Sequence, residues 1–279
     1  MKTAKSKVPF NYRTIRVTQS RIDKGLLAIP VSLIDYFPQK RGRIYIAFGD
    51  EEEGNERNFT PYTSSSRECR IGGMRDFYEK FQIKDNEELV IQMIDECKYR
   101  ILKESQFQIS IAQAEKRLDR ANDERDADLM LKRLSSITNS EFDKVMYGEF
   151  FRLSQKRIET RKYKKPTTIS TKENVPASIR KILAEIYKGK CQVSNFGFLM
   201  ENGKPYFELH HIRADLGHHL KNLLVVSPNV HAQFTYAKVE EYFDEQGWLR
   251  RVKFTGRTYP VHHIIDDVPD TFEKETHYT

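Results

Sequence analysis

The chain has 279 residues, with 47 Lys and Arg against 40 Asp and Glu, for a formal net charge of +7. Hydrophobic residues make up 38% and charged residues 31%, which excludes a collagen-like or disordered chain. No apolar run approaches the roughly 20 residues that cross a bilayer, and no apolar signal core follows the basic start, so no membrane partner and no export are expected.

The length predicts about two domains with a connector. Residues 1–103 read as a β-rich domain. Tyr12 to Val17 alternates as a half-buried strand does. Leu26 to Ile29 is a short apolar run closed by Pro30, and Val31 to Tyr36 fits a helical turn ended by Phe37-Pro38. Arg43 to Phe48 alternates again, Arg57 to Tyr62 is a further strand, and Met74 to Phe81 suits a short helix. Glu88 to Ile94 and Lys98 to Ile101 complete a set of short strands expected of a barrel or sandwich.

Residues 104–172 form a predicted helical connector, in which Thr138 to Glu141 has the spacing of a capping box. It ends in a basic run, Lys156, Arg157, Arg161, Lys162, Lys164 and Lys165. Residues 173–279 open with a helix from Pro176 to Tyr187, stopped near Gly189. The expected class is therefore α+β.

Cysteine and histidine usage point in different directions. Cys69, Cys97 and Cys191 are odd in number and far apart, so a reducing, cytoplasmic setting is expected rather than a disulfide framework. All eight histidines lie after residue 209, and metal or proton chemistry is expected there. Tyr206 to Ile212 reads as a strand, Gly217 to Asn222 as a loop, Leu223 to Val226 as a second strand, and Ser227-Pro228 as a helix start. Adjacent His210 and His211 on a strand face opposite sides. One turns toward the following helix and its His231, the other away from it.

This stretch, residues 186–237, resembles the His-Asn-His (HNH) nucleases of the ββα-metal fold. The matching parts are Tyr187 to Ser194, Glu208-Leu209-His210-His211-Ile212, Gly217 to Val226 and Ser227 to His231, with spacings of 11 from His211 to Asn222 and 9 from Asn222 to His231. The resemblance implies His210 and His231 as metal ligands, His211 as general base, and Asn222 as the residue holding the loop that orients His211. It implies a divalent ion, magnesium or a substitute such as manganese, and cleavage of DNA by a metal-activated water to leave 5′-phosphate ends. Ser194, Ser227 and Val230 stand where many relatives have further cysteines, so no structural zinc is expected. Thr235 stands where some relatives have a third ligand.

Residues 12–102 are similar to the DNA-binding pseudobarrel of plant B-three factors and some restriction enzymes. The match rests on Leu26 to Pro30 with Phe37-Pro38, Ile71 to Phe77, and Lys84-Asp85 to Ile91. That likeness implies two DNA-contacting arms. Gln19, Ser20, Arg21 and Lys24 lie on a loop in one, and Thr63, Ser64, Ser65 and Arg67 lie in the other; such side chains can read base edges. The combination implies a site-specific Type II restriction endonuclease acting on double-stranded DNA as a homodimer. A modification-dependent endonuclease and a DNA-binding regulator with an inactive nuclease fold are the alternatives.

Overall fold

The computed structural model describes residues 13–62, 68–159 and 174–267. They divide into two compact units, one of residues up to 115 with 133–140, the other of 116–132 with those from 141 onward.

The first unit is built on strands β1 (Arg13–Arg16), β2 (Leu26–Ile29), β3 (Gly42–Phe48), β4 (Asn55–Thr60), β5 (Cys69–Gly72), β6 (Glu88–Asp95) and β7 (Lys98–Lys103), with helices α1 (Gln19–Lys24) and α2 (Arg75–Lys80) between them. The sheet runs β1-β6-β7-β3-β4-β5-β2 and curls into a nearly closed barrel. Only β3 and β7 pair in parallel among these neighbours. Period-two alternation sends Ile15, Leu27, Ile29, Ile44, Ile46, Phe59, Ile71, Leu89 and Ile101 inward, where Met74 and Phe77 also pack. The apolar turn Val31–Tyr36 is a 3₁₀ helix stopped at Phe37. Helix α3 (Glu104–Leu118) follows β7 directly.

Two details depart from the expected pattern. The segment expected as a loop at Gln19–Lys24 is a helix. It has no breaker until Gly25, whose left-handed φ of 63° ends the helix. A Cβ there would also meet Arg75 Cγ at 2.6 Å, so glycine is required twice over. The second departure lies at the end of α4 (Glu124–Thr138). No capping box forms at Thr138 to Glu141. Asn139 adopts a left-handed φ of 50° and donates to Met93 O at 2.7 Å, while Glu141 precedes α5 (Phe142–Ser154) with no side-chain cap bond.

The second unit contains α5, α6 (Ala177–Tyr187), the short hairpin β8 (Phe198–Leu199) and β9 (Pro205–Tyr206), the ribbon β10 (Glu208–His211) and β11 (Leu223–Val226), helix α7 (Pro228–Tyr236), and a meander of β12 (Val239–Phe243), β13 (Leu249–Phe254) and β14 (Arg257–Pro260). Pro176 stands just ahead of α6 with no side-chain cap bond, and left-handed Lys188 and Gly189 end the helix. The core joins β11 and α7 to the meander through Leu224, Val226, Val230, Leu249, Val252 and Phe254. Among the described residues, no helix is long and apolar enough to cross a membrane.

Candidate active site

Antiparallel pairing sets His210 opposite Leu224 and His211 opposite Leu223. All four residues of β11 are buried, whereas β10 is half-buried, so β11 anchors the ribbon and β10 presents side chains. Helix α7 follows β11 at once because Ser227 caps it: its Oγ accepts the Val230 N–H at 3.4 Å, and Pro228 takes the first helical position. Ser227→Ala is expected to cost about 1 kcal/mol, read as a lower urea midpoint. An unchanged midpoint would show that the cap contributes nothing.

The ribbon and α7 bring two imidazoles together. The His210 and His231 rings lie 5.3 Å apart between centroids, and Phe234 stacks on His210 at 4.1 Å. Burial, with His231 and His211 nearby, pushes the His210 pKa down to about 4. The neutral form, with a lone pair to offer, therefore prevails at ordinary pH. The His231 Nδ1–H donates to Glu208 Oε2, and Tyr206 donates its hydroxyl proton to Glu208 Oε1 at 3.0 Å. With a proton on Nδ1, the His231 lone pair sits on Nε2. Thr235 is turned back on the helix, donating to His231 O at 3.0 Å.

His211 is on the other face of β10. Its Nε2 lies 3.0 Å from His218 Nδ1. The loop carrying His218 is closed by Asn222, which is 3% exposed. The Asn222 side chain accepts the Arg213 N–H at 2.8 Å and donates to Arg213 O and Gly217 O, both at 3.0 Å. A second clasp comes from beyond α5. Gly217 N–H donates to Glu159 O at 2.7 Å, and His219 donates from Nε2 to Lys156 O at 2.7 Å while its Nδ1 accepts from Lys221 N–H.

His210, His211 and His231 line one open cleft together with Arg125, Arg180 and Lys204. Arg180 is already paired with Glu124 at 3.0 Å. Among the described residues, no group of three or more His, Cys, Asp or Glu forms a cage for a metal ion. Cys191 is buried in the core. Burial would raise its thiol pKa, but hydrogen bonds from Ser194 and from the Ser227 and Val193 backbone outweigh that and lower it. His263, also buried, is a structural residue whose Nε2 lies 2.7 Å from Leu249 O.

In the barrel unit, Gln19, Ser20 and Lys24 are exposed on α1. The guanidinium of Arg21 is held by Glu68 at 2.6 Å, and Gln19 donates to Asp23 at 2.7 Å. Thr63, Ser64, Ser65 and Arg67 lie outside the described residues, as do Arg161, Lys162, Lys164 and Lys165 of the basic run. Sequence reasoning missed three site residues, Tyr206, Glu208 and His218. Alternation along β10 is the signal that could have found Glu208, since it puts that residue on the face of His210. No sequence period marks His218, which arrives by a loop.

No family model matches the chain, and no curated protein matches it. Among solved structures, the chain is similar to the Arabidopsis FUS3–DNA complex at 13% identity, over 32% of this chain and 92% of that one, with a TM-score of 0.27. It is similar to a hypothetical Arabidopsis thaliana protein at 14% identity, over 32% and 85% of the two chains, with a TM-score of 0.26. The N-terminal domain of Helicobacter pylori LlaJI.R1 is similar at 10% identity, over 33% and 77%, with a TM-score of 0.26.

Proposed function

We propose that the chain is a metal-dependent endonuclease of the ββα type that hydrolyses double-stranded DNA. The observation that carries the reading is the pairing of His210 and His231 across ribbon and helix, beside His211, whose ring meets His218 on a loop fastened by Asn222. The two paired imidazoles suit a divalent ion such as magnesium. His210 is neutral, and Glu208 fixes the tautomer of His231, as carboxylates do behind ligating histidines. When bound, such an ion supplies positive charge against the phosphate and the departing 3′ oxygen. His211 takes the proton of the attacking water, the task of a general base near neutral pH. Arg125 and Lys204, on the cleft wall, provide cations for the phosphate backbone.

The barrel unit is the proposed DNA reader, with Gln19, Ser20 and Lys24 exposed for contact. Cleavage of both strands of a symmetric site favours a two-fold homodimer and a restriction role. The test is digestion of a plasmid of known sequence. With magnesium or manganese, discrete fragments with 5′-phosphate ends are expected, and chelation by EDTA should stop cutting. Binding without cleavage under every metal would overturn the nuclease reading in favour of a regulator. Cutting confined to methylated plasmid would mark a modification-dependent enzyme.

A further inference from the structure

We infer that His218 is a positioning residue for His211, accepting the His211 Nε2–H at its own Nδ1. The inference rests on the nuclease reading for its purpose but not for its geometry. The two nitrogens are 3.0 Å apart, a hydrogen-bonding distance. In a neutral imidazole, one nitrogen carries the proton and the other the lone pair, and the partner of the first decides which is which. The contact by itself lets either ring donate. With His218 Nδ1 as the acceptor and the His218 proton on its buried Nε2, the His211 proton stays on Nε2 and the Nδ1 lone pair is left for the proton of water. When that proton arrives, His211 becomes an imidazolium whose Nε2–H still points at an acceptor, so the positive charge is stabilised where it forms.

The loop holds His218 from both sides. Its predecessor Gly217 donates to Glu159 O and accepts from Asn222, and its successor His219 is tied to Lys156 O and Lys221 N. A residue so bracketed has little freedom to drift from its partner. A Cβ at position 217 would meet Glu159 O at 3.0 Å, so the close approach that sets this bracket depends on the glycine.

The experiment has two readouts on the full-length chain. First, nitrogen–proton correlation spectra of the histidine side chains, recorded without metal above pH 8, should show His211 as the Nε2–H tautomer. In His218→Ala the tautomers should mix. Second, single-turnover cleavage of plasmid DNA with magnesium should slow by about 10- to 100-fold in His218→Ala, with the DNA dissociation constant unchanged. His218→Asn, whose side-chain oxygen can accept in place of Nδ1, should recover most of the rate, and thermal melts check that each variant folds. A His211 proton on Nδ1, a wild-type rate in His218→Ala, or no recovery in His218→Asn would overturn the inference. If the wild type cuts no DNA while the tautomer is as expected, the nuclease reading fails and the His211–His218 pairing stands.

Discussion

His211→Ala is expected to lower the single-turnover rate of DNA cleavage by about 10²- to 10⁴-fold, the usual worth of a positioned general base, while duplex binding stays within about twofold. The separation of rate from binding follows from position. His211 lies on the face of β10 away from the His210–His231 pair and bonds to a loop residue rather than to the core. Its removal therefore leaves the buried residues of β11 in place. Binding is measured with calcium to suppress turnover, and cleavage with magnesium. Equal rates in the two proteins would remove His211 from the chemistry. A parallel loss of binding and melting temperature would mean that the side chain is structural.

Asn222 carries the second large effect. Its amide makes three hydrogen bonds to the backbone of one loop and is almost fully buried. Asn222→Ala leaves an N–H and two carbonyls short of partners, an expected loss of about 2–3 kcal/mol at roughly 1 kcal/mol per bond. Asn222→Asp is the more telling variant. Its carboxylate still accepts from Arg213 N–H but faces two carbonyl oxygens where the amide had donated. The introduced carboxyl should then titrate higher in the folded chain than in the unfolded one. A group raised on folding adds stability below its unfolded pKa, about 3.9 for Asp, and loses it as pH rises through the folded value. Thermal melts should therefore place Asn222→Asp close to wild type at pH 4 and well below it at pH 7. A gap that is the same at both values would refute the account.

Legibility in the sequence followed local signals. Alternation in Arg43 to Phe48, the proline at Pro176 and the Ser227-Pro228 start each coincide with an observed element edge or strand, because each depends on neighbours within a few residues. The pairing of His210 with His231 was readable from strand parity and the short step from β11 into α7. What could not be read was set by partners distant in the chain. Glu68 holds Arg21 from 47 residues away, and Met93 O accepts from Asn139, 46 residues away. The His211–His218 contact is seven residues apart, yet it depends on a loop path fixed by Lys156 and Glu159. The helix at Gln19–Lys24 was missed because a six-residue segment between strands has too little periodicity to separate helix from loop.

The bonds from Lys156 O and Glu159 O to the histidine loop bear on how the histidine-rich unit could be excised. A fragment beginning at Asn174 would keep both ribbon strands, α7 and the meander core, yet would lack those two backbone acceptors. In such a piece the histidine turn should fray, exchanging the amide proton of Gly217 faster than in a longer fragment begun ahead of α5. The smallest fragment that keeps this loop whole therefore starts upstream of where the sequence motif itself begins.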